Sequence, residues 1–205
     1  MITIINYNAG NIKSIQNMLK RIGAKSCISS SVEEIEQAEK LILPGVGHFN
    51  YGMQQLHKSN VIPILNQRVL QQKVPILGIC LGVQLLTKSS EEGNEPGLGW
   101  IDGTTIAFDK AKIGNDKKIP HMGWSDVNSY QQSKLFINMP EDPRFYFVHS
   151  YHLQLNNPNN VLVNASYGYE FAAGIEHENI LGVQFHPEKS HKFGMKLLEN
   201  FVLNY

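Results

Sequence analysis

The stretch Pro75-Ile76-Leu77-Gly78-Ile79-Cys80-Leu81-Gly82-Val83-Gln84 decides how this chain folds. Its first half, Pro75 to Ile79, has the length and the β-branched content of a buried parallel strand. A helical pattern begins at Val83 and meets no helix breaker before Ser89. We therefore place Cys80 on a sharp turn from strand to helix, where its glycine neighbours leave room for the backbone.

A cysteine at such a turn is a candidate nucleophile. The turn is the sulfur version of the Gly-x-Ser-x-Gly elbow, which presents a nucleophile above a sheet at the start of a helix. The positive end of a helix attracts an anion such as a thiolate. A buried structural cysteine is the alternative, so the motif around Cys80 does not decide between the two by itself.

Strand and helix patterns alternate before Cys80. We predict strands over Ile2–Ile5, Ser26–Ser29 and Lys40–Leu43, and helices over Ile12–Ile22, from Ser31, over Gly52–His57 and over Val61–Gln72. Asn11 is a candidate cap for the first helix, and Ser31 with Glu34 has the spacing of a capping box. Pro44–Phe49 is predicted as a loop. The alternation predicts an α/β fold with an open, mostly parallel, flavodoxin-like sheet flanked by helices.

The pattern changes after the cysteine helix. A loop is predicted over Ser89–Gly99, and short β-like pieces over Gly103–Phe108, Trp124–Val127, Arg144–His149, Val161–Ala165, Phe171–Glu176 and Ile180–Phe185. We expect these pieces to extend the main sheet and to form a small additional antiparallel sheet. A last helix is predicted from about Ser190 to Val202. Without an internal repeat or a linker, residues 1–205 are interpreted as one domain.

Composition excludes several classes of function. The chain has 205 residues, a formal net charge of zero and 18% charged residues, which argues against a nucleic-acid partner. No apolar run approaches the ~20 residues of a membrane span. Two cysteines, Cys27 and Cys80, form no disulfide framework, so we expect a cytoplasmic protein. No P-loop, G-x-G-x-x-G or structural-zinc spacing is present, so no cofactor or metal is expected.

One of the eight histidines has the context of a catalytic base. His186 follows the apolar strand that ends at Phe185, so it should lie at the same sheet edge as Cys80. Glu188 is two residues further on and can orient the imidazole and stabilise its charged form. An ordinary turn at the end of a strand is the alternative for His-Pro-Glu alone. The histidine and the cysteine elbow together favour a Cys80–His186–Glu188 triad.

A thiol that attacks a carboxamide also needs donors for the developing oxyanion. The backbone N–H of Leu81, just after the nucleophile, is one candidate. The glycines of Pro44-Gly45-Val46-Gly47 permit a second backbone N–H to approach closely.

These motifs together resemble the class I (triad) glutamine amidotransferases over nearly the whole chain. The cysteine elbow, the Pro-Gly-Val-Gly loop and Gln184-Phe185-His186-Pro187-Glu188 match that family in order and in spacing. Within the class, the chain looks like the glutaminase subunit of imidazole glycerol phosphate synthase. The segments that carry this closer resemblance are Pro44–Phe49, Pro120–Trp124, Tyr146–Tyr151 and His186–Ser190.

The resemblance implies a class I glutaminase fold and a mechanism in which Cys80 attacks L-glutamine and forms a glutamyl thioester. Ammonia then leaves with a proton from His186. The resemblance also implies an oxyanion hole and a set of glutamine-binding residues: Gly45, Val46, Gly47, Leu81, Gln84, His149, Ser150 and Tyr151.

The resemblance further implies a partner, a (β/α)₈-barrel synthase subunit that receives the ammonia and forms imidazole glycerol phosphate and an aminoimidazole ribotide for histidine and purine synthesis. The residues that match the docking face are Met122, Trp124, Tyr146 and Lys189. From the bare sequence, core packing is an equal alternative for these side chains.

Three alternatives stay open at this stage. The family usually has Asn after Pro-His-Met-Gly-Trp, where this chain has Ser125. A paralogue that supplies ammonia to a sugar amidotransferase of surface-polysaccharide synthesis is therefore the first alternative. The others are a cysteine hydrolase on a related α/β fold, and a binding module without catalysis, against which the intact triad argues.

Overall fold

A computed structural model describes residues 1–129 and 132–205 of the protein. The first part of the chain alternates strands with helices. The strands are β1 (Ile2–Ile5), β2 (Ser26–Ser29), β3 (Lys40–Gly45) and β4 (Ile76–Cys80). The helices are α1 (Ile12–Arg21), α2 (Val32–Glu36), α3 (Phe49–Lys58), α4 (Ile62–Asn66) and α5 (Leu81–Leu85).

Strands dominate after α5. They are β5 (Ser89–Ser90), β6 (Gly103–Ala107), β7 (His121–Ser129), β8 (Arg144–His149), β9 (Tyr151–Leu155), β10 (Val161–Tyr167), β11 (Tyr169–His177) and β12 (Ile180–Val183). Two helices complete this part, α6 (Lys110–Ile113) and α7 (His191–Asn204).

The strands form one hydrogen-bonded network whose first part is parallel. Its order is β2-β1-β3-β4-β12, and every neighbouring pair in that run is parallel. Antiparallel strands continue the sheet as β11-β10-β7-β8, and a branch through β9 carries β6 and β5. The predicted α/β fold, a mostly parallel open sheet flanked by helices with added antiparallel strands, is confirmed.

Two apolar layers cover the faces of the parallel sheet. On one face Ile4 and Leu77 lie in a cluster with Leu19 of α1 and Leu197 of α7. On the other face Leu43 lies in a cluster with residues of α2, α3, α4 and α5. Neighbouring strand residues such as Ile42 and Leu43 belong to opposite clusters, because side chains alternate across a strand. This burial on both faces explains the continuous apolar runs of β1, β3 and β4.

Several predicted boundaries are confirmed, and others need correction. The bounds of β1, β2 and β8 are as predicted, and the Glu34 N–H donates to Ser31 Oγ at 3.4 Å, as expected for a cap. The prediction that Asn11 caps α1 is wrong. Its side chain makes no bond to the helix backbone and instead accepts from the Ser14 hydroxyl at 2.9 Å.

The predicted Pro44–Phe49 loop is too long, because β3 runs on to Gly45 in register with Cys80 of β4. The cysteine helix is shorter than predicted and ends at Leu85. The returning loop takes over its last carbonyls, since the N–H groups of Leu98 and Ile101 donate to Leu85 and Leu86. A π-helical turn over Gln67–Gln71 ends the predicted Val61–Gln72 helix. The strands β5 and β9 and the helix α6 were not predicted.

No helix within residues 1–129 and 132–205 combines the length and the apolar character that a membrane crossing requires.

Candidate active site

Cys80 is held in a strained backbone conformation at the junction of β4 and α5. Its φ is 53° and its ψ is −114°, a region that non-glycine residues rarely occupy. Neighbouring glycines make the turn possible, because a Cβ at Gly82 would lie 1.8 Å from the Leu43 carbonyl oxygen. A Cβ at Gly78 would lie 2.8 Å from Val83 Cα. The tight elbow predicted from the sequence is therefore present, and close approach of β3 and α5 fixes it.

His186 and Glu188 form a buried pair next to this elbow. The imidazole Nδ1 lies 2.8 Å from Glu188 Oε1, and each side chain is 1% exposed. Because β12 pairs with β4 in parallel, the residues that follow β12 arrive at the sheet edge that carries Cys80. The His186 Nε2 atom is buried and makes no hydrogen bond of ordinary geometry within residues 1–129 and 132–205.

The surroundings of His186 favour its charged form. Burial disfavours the imidazolium, but interactions with Cys80 and Glu188 outweigh burial and raise the pKa of His186 to about 9. At neutral pH the ring therefore carries a proton on both nitrogens. The Nδ1 proton is held by Glu188, which leaves the Nε2 proton as the one available for transfer.

Strand β8 supports the turn that carries His186. The His186 N–H donates to the Tyr146 carbonyl at 2.9 Å. The Ser190 hydroxyl donates to the His186 carbonyl at 2.6 Å and accepts from the Tyr146 N–H at 3.0 Å. Three short hydrogen bonds thus fix the backbone on which the imidazole is mounted.

A cavity of about 340 Å³ opens beside the cysteine. This volume lies within the range of roughly 300–1,000 Å³ that is usual for small-molecule sites. Predicted site residues on its wall are Cys80, His186, Val46, Gly47, Leu81, Gln84, His149, Ser150 and Tyr151. Three further residues line it that were not predicted as site residues: Pro120 and Val148, which lie in segments of the family resemblance, and Glu92, which lies in none.

Two buried glutamine side chains lie near the nucleophile, Gln84 on the cavity wall and Gln184 next to it. The Gln84 Nε2 donates to the Tyr151 carbonyl at 3.2 Å and to Gln184 Oε1 at 3.0 Å. Gln184 is completely buried, and its own Nε2 lies 3.9 Å from the Cys80 sulfur. The sequence showed Gln184 only as part of a family motif, because its side-chain partners, Gln84 and Cys80, lie about a hundred residues earlier in the chain.

Comparison with known proteins assigns the chain to a family. The model of the family described as "Glutamine amidotransferase class-I" matches residues 3–205. The "Imidazole glycerol phosphate synthase subunit HisH 2" of Pseudomonas aeruginosa is 50% identical, over 98% of each chain. The protein of the same name in Methanococcus maripaludis is 52% identical, also over 98% of each chain. This chain belongs to the class I glutamine amidotransferases and, within them, to the HisH subunits.

Solved structures agree with this assignment at the level of the fold. The structure of PurLQS from Thermotoga maritima superimposes with a TM-score of 0.75 and 19% sequence identity, covering 98% of this chain and 96% of that chain. The predicted class I glutaminase fold is therefore confirmed. Membership of the amidotransferase family also favours glutamine hydrolysis over the alternative of a cysteine hydrolase on a related α/β fold.

Gly45 of this HisH-type chain lies under the elbow, not on the cavity wall. A Cβ at this position would lie 2.6 Å from the Tyr7 hydroxyl and 2.8 Å from the Gly82 nitrogen. The Tyr7 hydroxyl donates to the Pro44 carbonyl at 2.5 Å, and burial followed by the nearby Cys80 raises the pKa of Tyr7 far above its usual value. Gly45 thus lets β3 approach the nucleophile, while Val46 and Gly47 reach the cavity.

Glu92 is the site residue that sequence reasoning missed. It lies in the segment predicted only as a polar loop, Ser89–Gly99. Its Oε2 accepts from the Phe49 N–H at 2.8 Å, at the start of α3, and its side chain lines the cavity. This loop reaches the amidotransferase site only through tertiary contacts. The position of Glu92 in the sequence relative to Cys80 therefore did not indicate that its side chain lines the cavity.

The four residues predicted for partner docking lie together on one outward face. Trp124 pairs with Tyr146 across β7 and β8, and Met122 is 61% and Trp124 41% exposed. Lys189 lies over the Tyr146 ring at 5.5 Å, and the Trp124 ring stacks on His191 at 5.4 Å. Exposure of these side chains excludes the core-packing alternative for Met122 and Trp124.

His149 and His152 bind different partners instead of one metal. His149 Nδ1 lies 2.7 Å from the Tyr151 carbonyl, and His152 Nε2 lies 2.9 Å from the Tyr169 hydroxyl. Among the residues that the structure describes, no group of three or more His, Cys, Asp or Glu side chains is placed to hold a metal ion.

Proposed function

We propose that this chain hydrolyses L-glutamine to glutamate and ammonia, as the HisH glutaminase subunit of an imidazole glycerol phosphate synthase. The single observation that carries the proposal is the shared cavity of Cys80 and His186, with His186 bound to the buried Glu188 at 2.8 Å. A thiolate nucleophile, a protonated imidazole and an orienting carboxylate are the groups that acyl transfer through cysteine requires.

The proposed reaction has two halves. The Cys80 sulfur forms a bond to the carboxamide carbon, and the carbonyl electrons move onto oxygen. When the carbonyl re-forms, the C–N bond breaks and the nitrogen leaves as ammonia with the proton from His186 Nε2. A water molecule then attacks the thioester and gives a proton to His186. The C–S bond breaks, which releases glutamate and restores the thiolate.

The oxyanion is assigned to two backbone N–H groups. Leu81 follows the nucleophile and lines the cavity, and Val46–Gly47 faces it from the end of β3. Gly47 has a φ of +103° and open space at its Cβ position, so its peptide can adopt orientations that other residues resist. Since α5 spans only Leu81–Leu85, the local N–H groups matter more than a long helix dipole.

Glutamine binding is assigned to the remaining walls. Glu92 supplies a carboxylate for the substrate ammonium group, because it is the cavity side chain whose charge complements that group. His149, Ser150 and Tyr151 also line the cavity, and the Gln84 side chain donates to the Tyr151 carbonyl at 3.2 Å.

We propose that the ammonia passes to a (β/α)₈-barrel synthase subunit, which makes imidazole glycerol phosphate and aminoimidazole carboxamide ribotide in histidine biosynthesis. The exposed face of Met122, Trp124, Tyr146 and Lys189 would receive this subunit. Val148 supports the placement, because it pairs with Met122 on this face and also lines the glutamine cavity. Aromatic and Met side chains with few charges are typical of interface cores.

Residues 1–205 are proposed to act as one amidotransferase domain, since the family model covers 3–205 and the sheet is continuous. We propose the cytoplasm as the compartment, because Cys27 and Cys80 are both free thiols, which suits reducing conditions.

Glutamate release from glutamine tests the proposal. We expect slow turnover by the chain alone and strong stimulation by the barrel synthase subunit of the same genome with its ribotide ligand. Cys80→Ala should abolish glutamate release, while free ammonia should still support the synthase reaction of the mutant complex. Turnover of the Cys80→Ala protein near the wild-type rate would refute the nucleophile, and full activity of the isolated chain would refute control by the partner.

A second candidate acceptor is a sugar amidotransferase of surface-polysaccharide synthesis. One observation favours keeping it: Ser125 stands where the family usually has Asn. In the same assay, glutamine hydrolysis without stimulation by the histidine-pathway synthase subunit would support this acceptor. Stimulation would support the histidine pathway.

A further inference from the structure

A series of hydrogen-bonded groups, here called the polar chain, links strand β7 to the nucleophile. It consists of polar side chains and one backbone carbonyl. Ser125 Oγ lies 2.9 Å from His121 Nε2, and His121 Nδ1 lies 3.0 Å from His149 Nε2. His149 Nδ1 lies 2.7 Å from the Tyr151 carbonyl oxygen, which also accepts from Gln84. From there the two buried glutamines lead to the Cys80 sulfur. The proposed reaction uses neither His121 nor Ser125, and neither residue lines the cavity.

The directions of the hydrogen bonds made by the two histidines follow from one fixed acceptor and from the neutral state of both rings. A carbonyl oxygen can only accept, so His149 Nδ1 carries the proton that binds the Tyr151 carbonyl. Burial lowers the pKa of His149 to about 3, so its Nε2 is an unprotonated acceptor. His121 must therefore donate from Nδ1. Burial and the nearby Lys117 lower the pKa of His121 to about 4, so its Nε2 is unprotonated and accepts from the Ser125 hydroxyl.

Aromatic rings hold both histidines in this arrangement. The His121 ring is stacked between Phe147, at 4.9 Å, and Tyr167, at 4.1 Å. The His149 ring contacts Phe108 at 5.1 Å and Phe171 at 5.3 Å. His121 and His149 are also direct neighbours in the pairing of β7 with β8. The rings cannot turn without disturbing this packing, so the donor and acceptor positions are fixed.

We infer that His121, held by Ser125, is a positioning residue that sets the His149–Tyr151 wall of the glutamine site. By donating to His149 it fixes the tautomer through which His149 holds the Tyr151 carbonyl. The Tyr151 carbonyl also accepts from the Gln84 side chain. A shift of this carbonyl would therefore move both Tyr151 and Gln84, which line different parts of the cavity. The inference rests on the proposed glutaminase function and adds residues that do not touch the substrate.

Substitutions at His121 that remove or keep individual hydrogen-bonding groups form a set of matched variants. His121→Phe keeps an aromatic ring between Phe147 and Tyr167 but removes both polar contacts. His121→Asn keeps a donor near the Nδ1 position, whereas His121→Gln keeps a polar group only near Nε2. His152→Phe is the control, because His152 is similarly buried and packs on the same Phe108 ring at 4.8 Å but lies outside the polar chain.

The experiment measures labelling of Cys80 in a Cys27→Ser background, which leaves one thiol. The glutamine-shaped probe is 6-diazo-5-oxo-L-norleucine; the sulfur bonds to its diazo carbon, which takes a proton as N₂ leaves. Iodoacetamide is the comparison probe, because it needs no glutamine site. Mass spectrometry gives the concentration dependence of labelling, which separates binding of the probe from the chemical step even when glutamine hydrolysis is slow.

We expect His121→Phe to raise the half-saturating concentration of the glutamine-shaped probe about tenfold, since the buried Nε2 of His149 then loses its donor. The rate with iodoacetamide should stay close to that of the wild type. His121→Asn should restore most of the probe binding and His121→Gln should not. His152→Phe should bind the probe like the wild type even if its thermal stability falls.

Three results would overturn the inference: equal probe binding by His121→Phe and wild type, equal losses in the His121 and His152 variants, or rescue by Gln instead of Asn. If His121→Phe does not fold, the Asn and Gln variants decide between the same outcomes. Failure of the proposed function is a separate result, namely wild-type protein that is labelled by iodoacetamide but not saturably by the glutamine-shaped probe.

Discussion

At the scale of single residues, the site depends on two unusual local states. Cys80 has a φ of 53°, and His186 is buried yet charged, with a pKa of about 9. Strained backbone and shifted pKa values both persist only where the surrounding structure enforces them. Here the enforcing groups are the glycines of the elbow and the Glu188 carboxylate, neither of which reacts with substrate in the proposed mechanism.

The first residue-scale prediction concerns Glu188→Gln. The variant keeps an oxygen that can accept from His186 Nδ1 but loses the negative charge, so the pKa of His186 should fall below about 9. Glutamate release should fall strongly, because the proton for the leaving ammonia is less available at neutral pH. The measurement is the pH titration of the His186 ring nitrogens by NMR, on protein labelled with ¹⁵N at histidine.

Glu176→Gln is the matched control, since Glu176 binds the Tyr205 hydroxyl at 2.7 Å, away from the triad. An unchanged His186 titration in Glu188→Gln, or an equal change in Glu176→Gln, would contradict the assignment of Glu188 as the orienting group.

The same pair makes a prediction about stability. The pKa of His186 is raised from an unfolded value of about 6.5 to about 9. Its contribution to the free energy of unfolding is therefore complete below about pH 6.5 and is lost as the pH rises through about 9. Urea unfolding should show that wild type exceeds Glu188→Gln in stability at pH 6, and that the difference shrinks by pH 9.5. A difference that grows with pH would contradict this sign.

At the scale of elements, the elbow exists because β3, β4 and α5 approach one another unusually closely. The Gly82 position touches the Leu43 carbonyl, and the Gly45 position touches Tyr7 and Gly82. The backbone atoms at these contacts cannot move aside as the end of a flexible side chain can, so a larger residue would not fit at these positions without moving β3 or α5. The close approach also brings Val46–Gly47 to the cavity, so the fold of the elbow and the proposed oxyanion site are one arrangement.

Gly82→Ala tests this close approach. A Cβ 1.8 Å from the Leu43 carbonyl forces β3 and α5 apart, and we expect a loss of about 3 kcal/mol or more in the free energy of unfolding. Gly52→Ala in α3 is the control, since its Cβ would meet only the ends of Leu81 and Leu85 at 3.1–3.2 Å and the helix favours Ala. Urea denaturation measures both, and equal losses would mean that the elbow is not sterically closed.

At the scale of the whole molecule, strand β7 contributes side chains both to the interior near the glutamine site and to the exposed surface. His121 and Ser125 face inward to the polar chain, whereas Met122 and Trp124 face outward, because side chains alternate along a strand. The proposed docking face and the His121–Ser125 side therefore lie on opposite faces of β7, and Val148, which pairs with Met122, also reaches the glutamine cavity. Apolar exposure on this scale is typical of a surface that another protein covers.

Trp124→Ala tests the docking face. Buried interface aromatics carry much of the binding energy, so we expect the affinity for the barrel synthase subunit to fall about tenfold or more. The thermal stability of the isolated chain should change little, because Trp124 is 41% exposed. Tyr51→Ala is the control, an aromatic residue of α3 that is 47% exposed and lies outside the face. Titration calorimetry with the two variants gives the comparison, and equal affinities would exclude this face.

Much of the fold could be predicted from local pattern. The apolar runs at Ile2–Ile5 and before Cys80, and the capping pair Ser31 and Glu34, each depend on neighbours in sequence, and the structure confirms them. Predictions were wrong where distant segments intervene. The cysteine helix stops at Leu85 because the loop that follows returns to its last carbonyls, and no local pattern reports that return.

The sequence by itself determined the α/β architecture, the sharp turn at Cys80 and the order of the triad residues. Each of these follows from short-range chemistry: apolar periodicity, the small size of glycine, and the two-residue step from His186 to Glu188. Tertiary structure alone decided that Glu92 lines the cavity, that Gly45 lies beneath it, and that Ser125, His121 and His149 form one chain. Those facts depend on contacts between segments far apart in sequence, such as the loop of Glu92 with the start of α3 and strand β7 with β8, and no spacing rule connects these segments.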